Sequence, residues 1–208
     1  MAMDKKIKVA VLVSGGGTNL QAILDAQNNG IITSAEVALV VSNKPDVYAL
    51  KRAESFGVES VVVNRRAVGA EAFENAVVEL VESRGIELIV LAGFMCILSE
   101  GFTKRFENKI LNVHPALIPS FCGKGYYGLK VHEAALAYGV KITGATVHFV
   151  NEIPDGGTII MQKAVDVCDG DTPEILQKRV MEEAEWKILP LSIEKISKNI
   201  LSKKQRDK

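Results

Sequence analysis

The sequence predicts an α/β fold, a mostly parallel twisted sheet flanked by helices, with antiparallel strands in the C-terminal half. Three observations lead to it. Short apolar runs alternate with segments of helical period up to Leu91. A glycine-rich loop joins the first such run to the first helix. Beyond Gly139 two stretches of period-two alternation follow one another across a short polar loop.

Ile7 to Val13 is an apolar run that reads as a buried strand, and Asn19 to Asn29 follows as a helix with Leu20, Ile23, Leu24 and Gln27 at helical spacing. The same alternation continues through strand Glu36 to Val41, helix Asp46 to Ser55, strand Glu59 to Val63, helix Ala70 to Ser83 and strand Glu87 to Leu91. Strands that alternate with helices pair in parallel, because the crossover helix returns the chain to the same end of the sheet. After Gly93 the pattern changes to a short helical segment, Glu100 to Phe106, a strand, Lys109 to Val113, and a loop rich in Pro and Gly from His114 to Gly128. Loops of that length are commonly functional. Helix Leu129 to Tyr138 precedes the alternating stretches Thr143 to Val150 and Thr158 to Val167, read as antiparallel neighbours. A last helix starts behind the cap Asp171-Thr172-Pro173-Glu174 and runs to about Ser202, with a break expected before Pro190.

The 208 residues suit a single domain, 1–208, with 48% apolar and 24% charged residues. Twenty-five basic residues balance twenty-five acidic ones, so no global field gathers nucleic acid or a membrane surface. Any anion must be held locally. The basic tail Lys203 to Lys208 reads as a solvated helix end. The leader Met1 to Lys6 runs into an apolar stretch too short for a signal sequence or a membrane span. Cys96, Cys122 and Cys168 are widely spaced, which suggests neither a disulfide framework nor a zinc site, and points to the cytoplasm.

In Ser14-Gly15-Gly16-Gly17-Thr18-Asn19, glycines let the backbone approach an anion, and the helix that follows offers unpaired N–H groups at its positive end. That suits a phosphate. It is a poor dinucleotide motif, since Leu20 stands where a third glycine belongs and Ser42-Asn43 supplies no acid for a ribose. A glycine turn that serves only strand-to-helix packing has the same composition, and both readings stand at this point.

Asn112 and His114 lie two apart at the end of a strand, so both point to one face. The carboxyl end of a strand in an α/β sheet is where ligands bind. Asp155, ahead of Gly156 and Gly157, sits in the loop between the last two strands and can fold back over that face. An imidazole backed by a carboxylate and accompanied by an amide suits acyl transfer to an amine, which builds a negative tetrahedral oxygen and must shed a proton. On this reading Asp155 favours the imidazolium of His114. A polar cluster that merely closes a turn is the alternative. His148 suits either the site or a bond within the sheet, and His132 reads as structural. No histidine pair has zinc spacing, so no metal is expected.

Taken together, Val13 to Ile23 (VSGGGTNLQAI), Leu91 to Met95 (LAGFM), Leu111 to Pro119 (LNVHPALIP) and Asp155 to Gly157 resemble the phosphoribosylglycinamide formyltransferase family over nearly the whole chain. The resemblance implies a Rossmann-like formyltransferase fold and transfer of a formyl group from 10-formyltetrahydrofolate to the amine of phosphoribosylglycinamide, in purine synthesis. It implies a phosphate-binding half, about 1–92, and a folate-binding and catalytic half, about 93–208. Gly17, Thr18 and Asn19 would hold the phosphate, and Glu185 would contact the glycinamide. Met95, Cys96, Ile97 and Leu98, with Asn112 and the loop from Glu152 to Asp155, would line the folate pocket. Asn112, His114 and Asp155 match the catalytic trio. The partners implied are these two small molecules, with no nucleic acid and no membrane, for a monomer or homodimer.

The chain also departs from that pattern. Cys96 and Ala70 stand where arginines are usual, Trp186 follows Glu185 where His is usual, and the loop Ser120 to Gly128 is long. The folate's acidic tail must then be gripped differently. Two other activities share parts of this signature: a formyltetrahydrofolate hydrolase and, using the glycine loop alone, a non-catalytic nucleotide-binding module.

Overall fold

A computed structural model describes residues 6–206. Met1 to Lys5 of the leader, and Asp207 and Lys208 of the basic tail, lie outside the described residues. The chain forms two compact units, one of Met1–Leu98 with Ile193–Lys208 and one of Ser99–Ser192.

The first unit is built on β1 (Ile7–Val13), α1 (Thr18–Asn28), β2 (Ala35–Ser42), α2 (Tyr48–Ser55), β3 (Ser60–Val62), α3 (Arg65–Val68), α4 (Ala70–Ser83) and β4 (Leu88–Leu91). Its strands lie in the order β3-β2-β1-β4, all parallel. From Val9 to Val13, β1 has no solvent exposure, as a strand covered on both faces requires, and each large apolar side chain there stabilises the fold by about 1.5–3 kcal/mol. Lys8 is the one exposed position of β1, and its ammonium donates to the Arg84 carbonyl. Because β2 and β3 extend the sheet on one side of β1 and β4 returns to the other, the carboxyl ends of β1 and β4 form a topological switch point, the usual place for a ligand crevice.

The second unit carries α5 (Glu100–Arg105), β5 (Ile110–His114), α6 (Leu129–Tyr138), β6 (Ile142–Phe149), β7 (Ile159–Asp166) and α7 (Pro173–Val180). Here β5-β6 and β6-β7 are antiparallel pairs, as the alternation predicts. Gly144 is obligatory in β6: a Cβ there would lie 2.0 Å from the Lys163 carbonyl oxygen. Ser99 caps α5 and Thr172 caps α7, each accepting from the N–H three residues on.

Two local expectations are corrected and one short element is added. Asp46 has φ 56°, outside the helical region, so α2 starts at Tyr48. The four-residue α3 has too little periodicity to be seen in the sequence; Asn64 caps it by accepting from the Ala67 N–H. The last helix does not break at Pro190. A π-helical turn, Met181–Glu185, leads into α8 (Trp186–Arg206), which contains Pro190. A prolyl ring crowds the carbonyl four residues back, and the widened ladder just upstream is where that displacement is taken up. The described part of the basic tail, Lys203 to Arg206, is the exposed end of α8. No helix among the described residues is long and apolar enough to cross a membrane.

Glu194 on α8 anchors that helix to the segment before β2. Its carboxylate accepts from the Thr33 and Ser34 N–H groups, both at 2.9 Å, and from their hydroxyls at 2.7 and 3.1 Å. Burial opposes ionisation, but these donors and Lys198 outweigh it and hold the carboxyl down at about 2.

Candidate active site

In the first unit the glycine loop leaves β1 and turns into α1. Gly17 takes φ 72°, and a Cβ on it would sit 2.7 Å from the Ala49 Cβ, so only glycine lets the loop lie against α2. No side chain caps α1 and no acid lies in its first turn, which leaves the helix start suited to an anion; Thr18 and Asn19 are its first two residues. Arg52, which sequence reasoning passed over, braces the loop. Its Nε donates to the Gly16 carbonyl at 2.9 Å and its Nη1 to Gln21 Oε1 at 2.7 Å, while the guanidinium stacks on Tyr48. A cation beside the loop adds to the field that favours a phosphate.

The loop that follows β4 crosses the switch point. Ser14 Oγ accepts from the Met95 N–H at 2.9 Å, and Asn43 at the end of β2 donates to Cys96 Sγ at 2.9 Å. Met95 and Ile97 are exposed, Cys96 is half-buried and Leu98 is buried. An apolar surface is thus held open beside the glycine loop, and the sequence signal for its anchors, a serine directly after β1 and Asn43 directly after β2, is visible only once the topology is known.

In the second unit β5 presents Asn112 and His114 on one face, and the antiparallel pairing puts His148 of β6 opposite Asn112. Asp155 folds back onto them. Its Oδ2 lies 3.4 Å from His114 Nδ1 and its Oδ1 lies 3.6 Å from His148 Nε2. His148 Nδ1 meets the Phe149 carbonyl at 2.7 Å and must carry its proton there. Its Nε2 is then the acceptor for one Asn112 N–H, at 3.2 Å, which fixes the amide and leaves the other N–H for a substrate oxygen. His148 therefore belongs to the site.

Asp155 reaches this place through backbone that glycine makes possible. It has φ 57°, tolerated by Asp, and a Cβ on Gly157 would lie 1.8 Å from the Phe149 carbonyl oxygen, the acceptor of His148. Gly157→Ala is expected to lower stability by about 2 kcal/mol and to reduce turnover as the Asp155 loop is displaced, read by thermal denaturation and steady-state kinetics.

The long loop hooks onto the same residues. His114 Nε2 donates to the Phe121 carbonyl at 2.8 Å, and the Gly123 N–H donates to Asp155 Oδ2 at 2.8 Å. Phe121 has φ 49°, a conformation that costs a bulky residue free energy and is held by the site. Lys124 of this loop is exposed.

Burial pushes His114 below the ordinary histidine range; the Asp155 charge and the Phe121 carbonyl pull it back in part, and His148 adds to the lowering. The resting ring is thus less charged than the carboxylate beside it alone would make it. Burial works to raise Asp155, yet the His148 ring, the His114 charge and the Gly123 N–H outweigh it and hold the carboxyl below its ordinary value. His132, on α6, is fully buried with no hydrogen-bond partner for either ring nitrogen, and burial together with the His114 charge pushes it down to about 4. Glu152 is exposed in the loop before Asp155. Glu185 is buried at the end of the π-helical turn, which packs against β6 and β7. Among the described residues no group of three or more His, Cys, Asp and Glu side chains is placed to hold a metal ion.

Comparison with known proteins gives a consistent picture. Residues 7–193 match the family described as Formyl transferase. The trifunctional purine biosynthetic protein adenosine-3 of Gallus gallus is 46% identical over 92% of this chain, which spans only 18% of that protein's length. Phosphoribosylglycinamide formyltransferase of Haemophilus influenzae is 43% identical over 89% of this chain and 85% of its own. Among solved structures, glycinamide ribonucleotide transformylase 1 from Symbiobacterium toebii superposes with a TM-score of 0.86 at 41% identity, covering 93% of this chain and 89% of its own. The fold expected from the sequence, a mostly parallel sheet flanked by helices with antiparallel strands in the C-terminal half, is the fold of this chain. By sequence across residues 7–193 and by structure, the chain belongs to the formyl transferase family.

Proposed function

We propose that this protein is a phosphoribosylglycinamide formyltransferase, a single formyltransferase domain over 1–208 that moves a formyl group from 10-formyltetrahydrofolate to the amine of phosphoribosylglycinamide in purine synthesis. The observation that carries the reading is the convergence of Asn112, His114, His148 and Asp155 in a family member whose relatives bear that name. The glycine loop, with Gly17, Thr18 and Asn19, takes the phosphate, and Glu185 contacts the glycinamide. Met95 to Leu98, Asn112 and Glu152 line the folate pocket. Balanced charge and free cysteines support a cytoplasmic enzyme working on small molecules, as a monomer or homodimer.

The chemistry follows from the resting state. The neutral amine attacks the formyl carbon, and negative charge builds on the formyl oxygen. The free N–H of Asn112 donates to that oxygen. His114 rests largely neutral, with Nε2–H on the Phe121 carbonyl, so Nδ1 is the proton acceptor and faces Asp155. The proton shed by the amine moves onto Nδ1, and the imidazolium so formed lies between two acceptors already in place, which lowers the barrier without reorganisation. It returns the proton to the departing folate nitrogen. No serine or cysteine nucleophile is needed, because the attacking amine belongs to the substrate.

The pH dependence has a definite sign. Protonating His114 before the reaction removes the acceptor, so kcat/KM should fall on the acid side, with an apparent pKa below the ordinary 6.5 because burial lowers it, and be flat just above. An acid limb centred above that value would contradict the assignment. The activity itself is tested by incubating the protein with both substrates and looking for formylated phosphoribosylglycinamide by mass spectrometry.

A further inference from the structure

Across β5 and β6 two pairs of polar residues stand opposite one another, Asn112 with His148 and His114 with Thr146. Directly opposed residues of an antiparallel pair point to the same side of the sheet, so Thr146 stands beside His114. Thr146 is fully buried, and its hydroxyl is saturated. It donates to the Ala116 carbonyl at 2.7 Å and accepts from the Ile118 N–H at 3.1 Å and the Gln162 amide at 3.0 Å, which is all that a hydroxyl can bond. The Gln162 amide also donates to the Ile118 carbonyl at 3.0 Å. Leu117 lies so close to β6 that a Cβ on Gly144 would sit 2.9 Å from its Cδ2. The segment directly after His114 is thus pinned to β6 and β7. From there a short turn, in which the Ser120 N–H donates to the Leu117 carbonyl at 3.0 Å, delivers Phe121.

Two acceptors compete for the single proton of a neutral His114. The Asp155 carboxylate faces Nδ1 at 3.4 Å, and the Phe121 carbonyl faces Nε2 at 2.8 Å. A carboxylate is the stronger acceptor and, acting alone, would draw the proton to Nδ1. The ring would then turn an N–H toward Asp155, where the reaction needs a lone pair. The shorter bond to the Phe121 carbonyl decides the contest for Nε2, and it does so only while that carbonyl is held in place. We propose that Thr146, assisted by Gln162, is a positioning residue that fixes the Phe121 carbonyl against His114 and thereby sets the tautomer that leaves Nδ1 free to take a proton; its effect on turnover rests on the formyltransferase reading above. The tautomer matters when the amine sheds its proton and not when either substrate docks, so loss of the Thr146 hydroxyl lowers kcat and leaves both KM values in place.

The test joins steady-state kinetics of the full chain to heteronuclear NMR of its histidine rings, recorded at a pH well above the histidine range, with His114→Ala to assign the signal. In the wild type His114 should carry its proton on Nε2 and His148 on Nδ1, opposite tautomers in one spectrum. Thr146→Val keeps the branched shape and removes the hydroxyl. In it the His114 proton should move largely to Nδ1 while His148 stays as it was, and kcat should fall by about ten- to a hundred-fold with both KM values within about two-fold. Thr146→Ser, which restores the hydroxyl, should recover the wild-type tautomer and bring kcat to within about three-fold of wild type. Gln162→Leu, at an exposed position of β7, should shift tautomer and kcat the same way by less, and it carries the test if Thr146→Val does not fold. A wild-type His114 protonated on Nδ1 would overturn the proposal. So would a folded Thr146→Val that keeps the wild-type tautomer, whatever its kcat, since the residue would then be structural only. The expected tautomers in a wild-type protein that forms no formylated product would sink the transferase reading and leave the positioning role standing.

Discussion

Asp155→Asn is expected to lower kcat by about two to three orders of magnitude, the scale for lost acid–base and oxyanion assistance, with little change in melting temperature. The substitution keeps the size of the side chain and an oxygen for the Gly123 N–H, but removes the charge that faces His114 Nδ1 at 3.4 Å. A buried ring already biased toward neutrality then keeps only the Phe121 carbonyl to stabilise its proton. Removing a negative charge lowers the His114 pKa further, so the acid limb of the residual activity should move to lower pH. His114→Ala should lose about as much, since the two act as one unit. Turnover near wild type in either purified, folded variant would take that residue out of the mechanism.

Glu194→Ala is expected to cost about 3–4 kcal/mol and to lower Tm by about 10 °C, because it strips the Thr33 and Ser34 N–H groups and hydroxyls of their acceptor in a buried place. The pH dependence follows from the depressed carboxyl. Its folded value near 2 lies below the ordinary 4.5, so the stabilisation is fully present above 4.5 and is lost as pH falls from there toward 2. That gap corresponds to about 3 kcal/mol. Chemical denaturation of wild type and Glu194→Gln at several pH values checks it: the difference between them should be constant at neutral pH and shrink through the window from 4.5 down. A difference that persists unchanged at pH 3 would mean that the carboxylate charge is not what holds α8.

The sequence shows those parts of the fold whose signal is local. The central strand β1 is legible because both its faces are covered and its residues are apolar throughout, and α6 and α4 match their expected bounds to the residue. The antiparallel pair is legible because alternation reports a sheet, and Asn112 with His114 because strand residues two apart share a face. What escaped depends on tertiary placement. His148 joins the site through a register, opposite Asn112, that no local pattern specifies. The Phe121 carbonyl and the Gly123 N–H are backbone groups with no side-chain signature. Arg52 braces a loop 36 residues earlier in the chain, and Glu194 binds residues 160 positions away. Pro190 misled because a proline inside a helix ordinarily breaks it, whereas the π-helical turn absorbs the strain a few residues earlier. The charge state of His114 is only half legible for a related reason: the carboxylate that favours its imidazolium is visible as a motif, but the burial that opposes it is not.

The central claim, formyl transfer to a glycinamide amine by the site around His114, is tested most directly by following folate release by absorbance when the purified protein is mixed with 10-formyltetrahydrofolate, with and without phosphoribosylglycinamide. The account predicts release that requires the glycinamide. Release at the same rate without it would make the protein a hydrolase of the same folate, and no release in either case would leave only a binding module; either result would contradict the account.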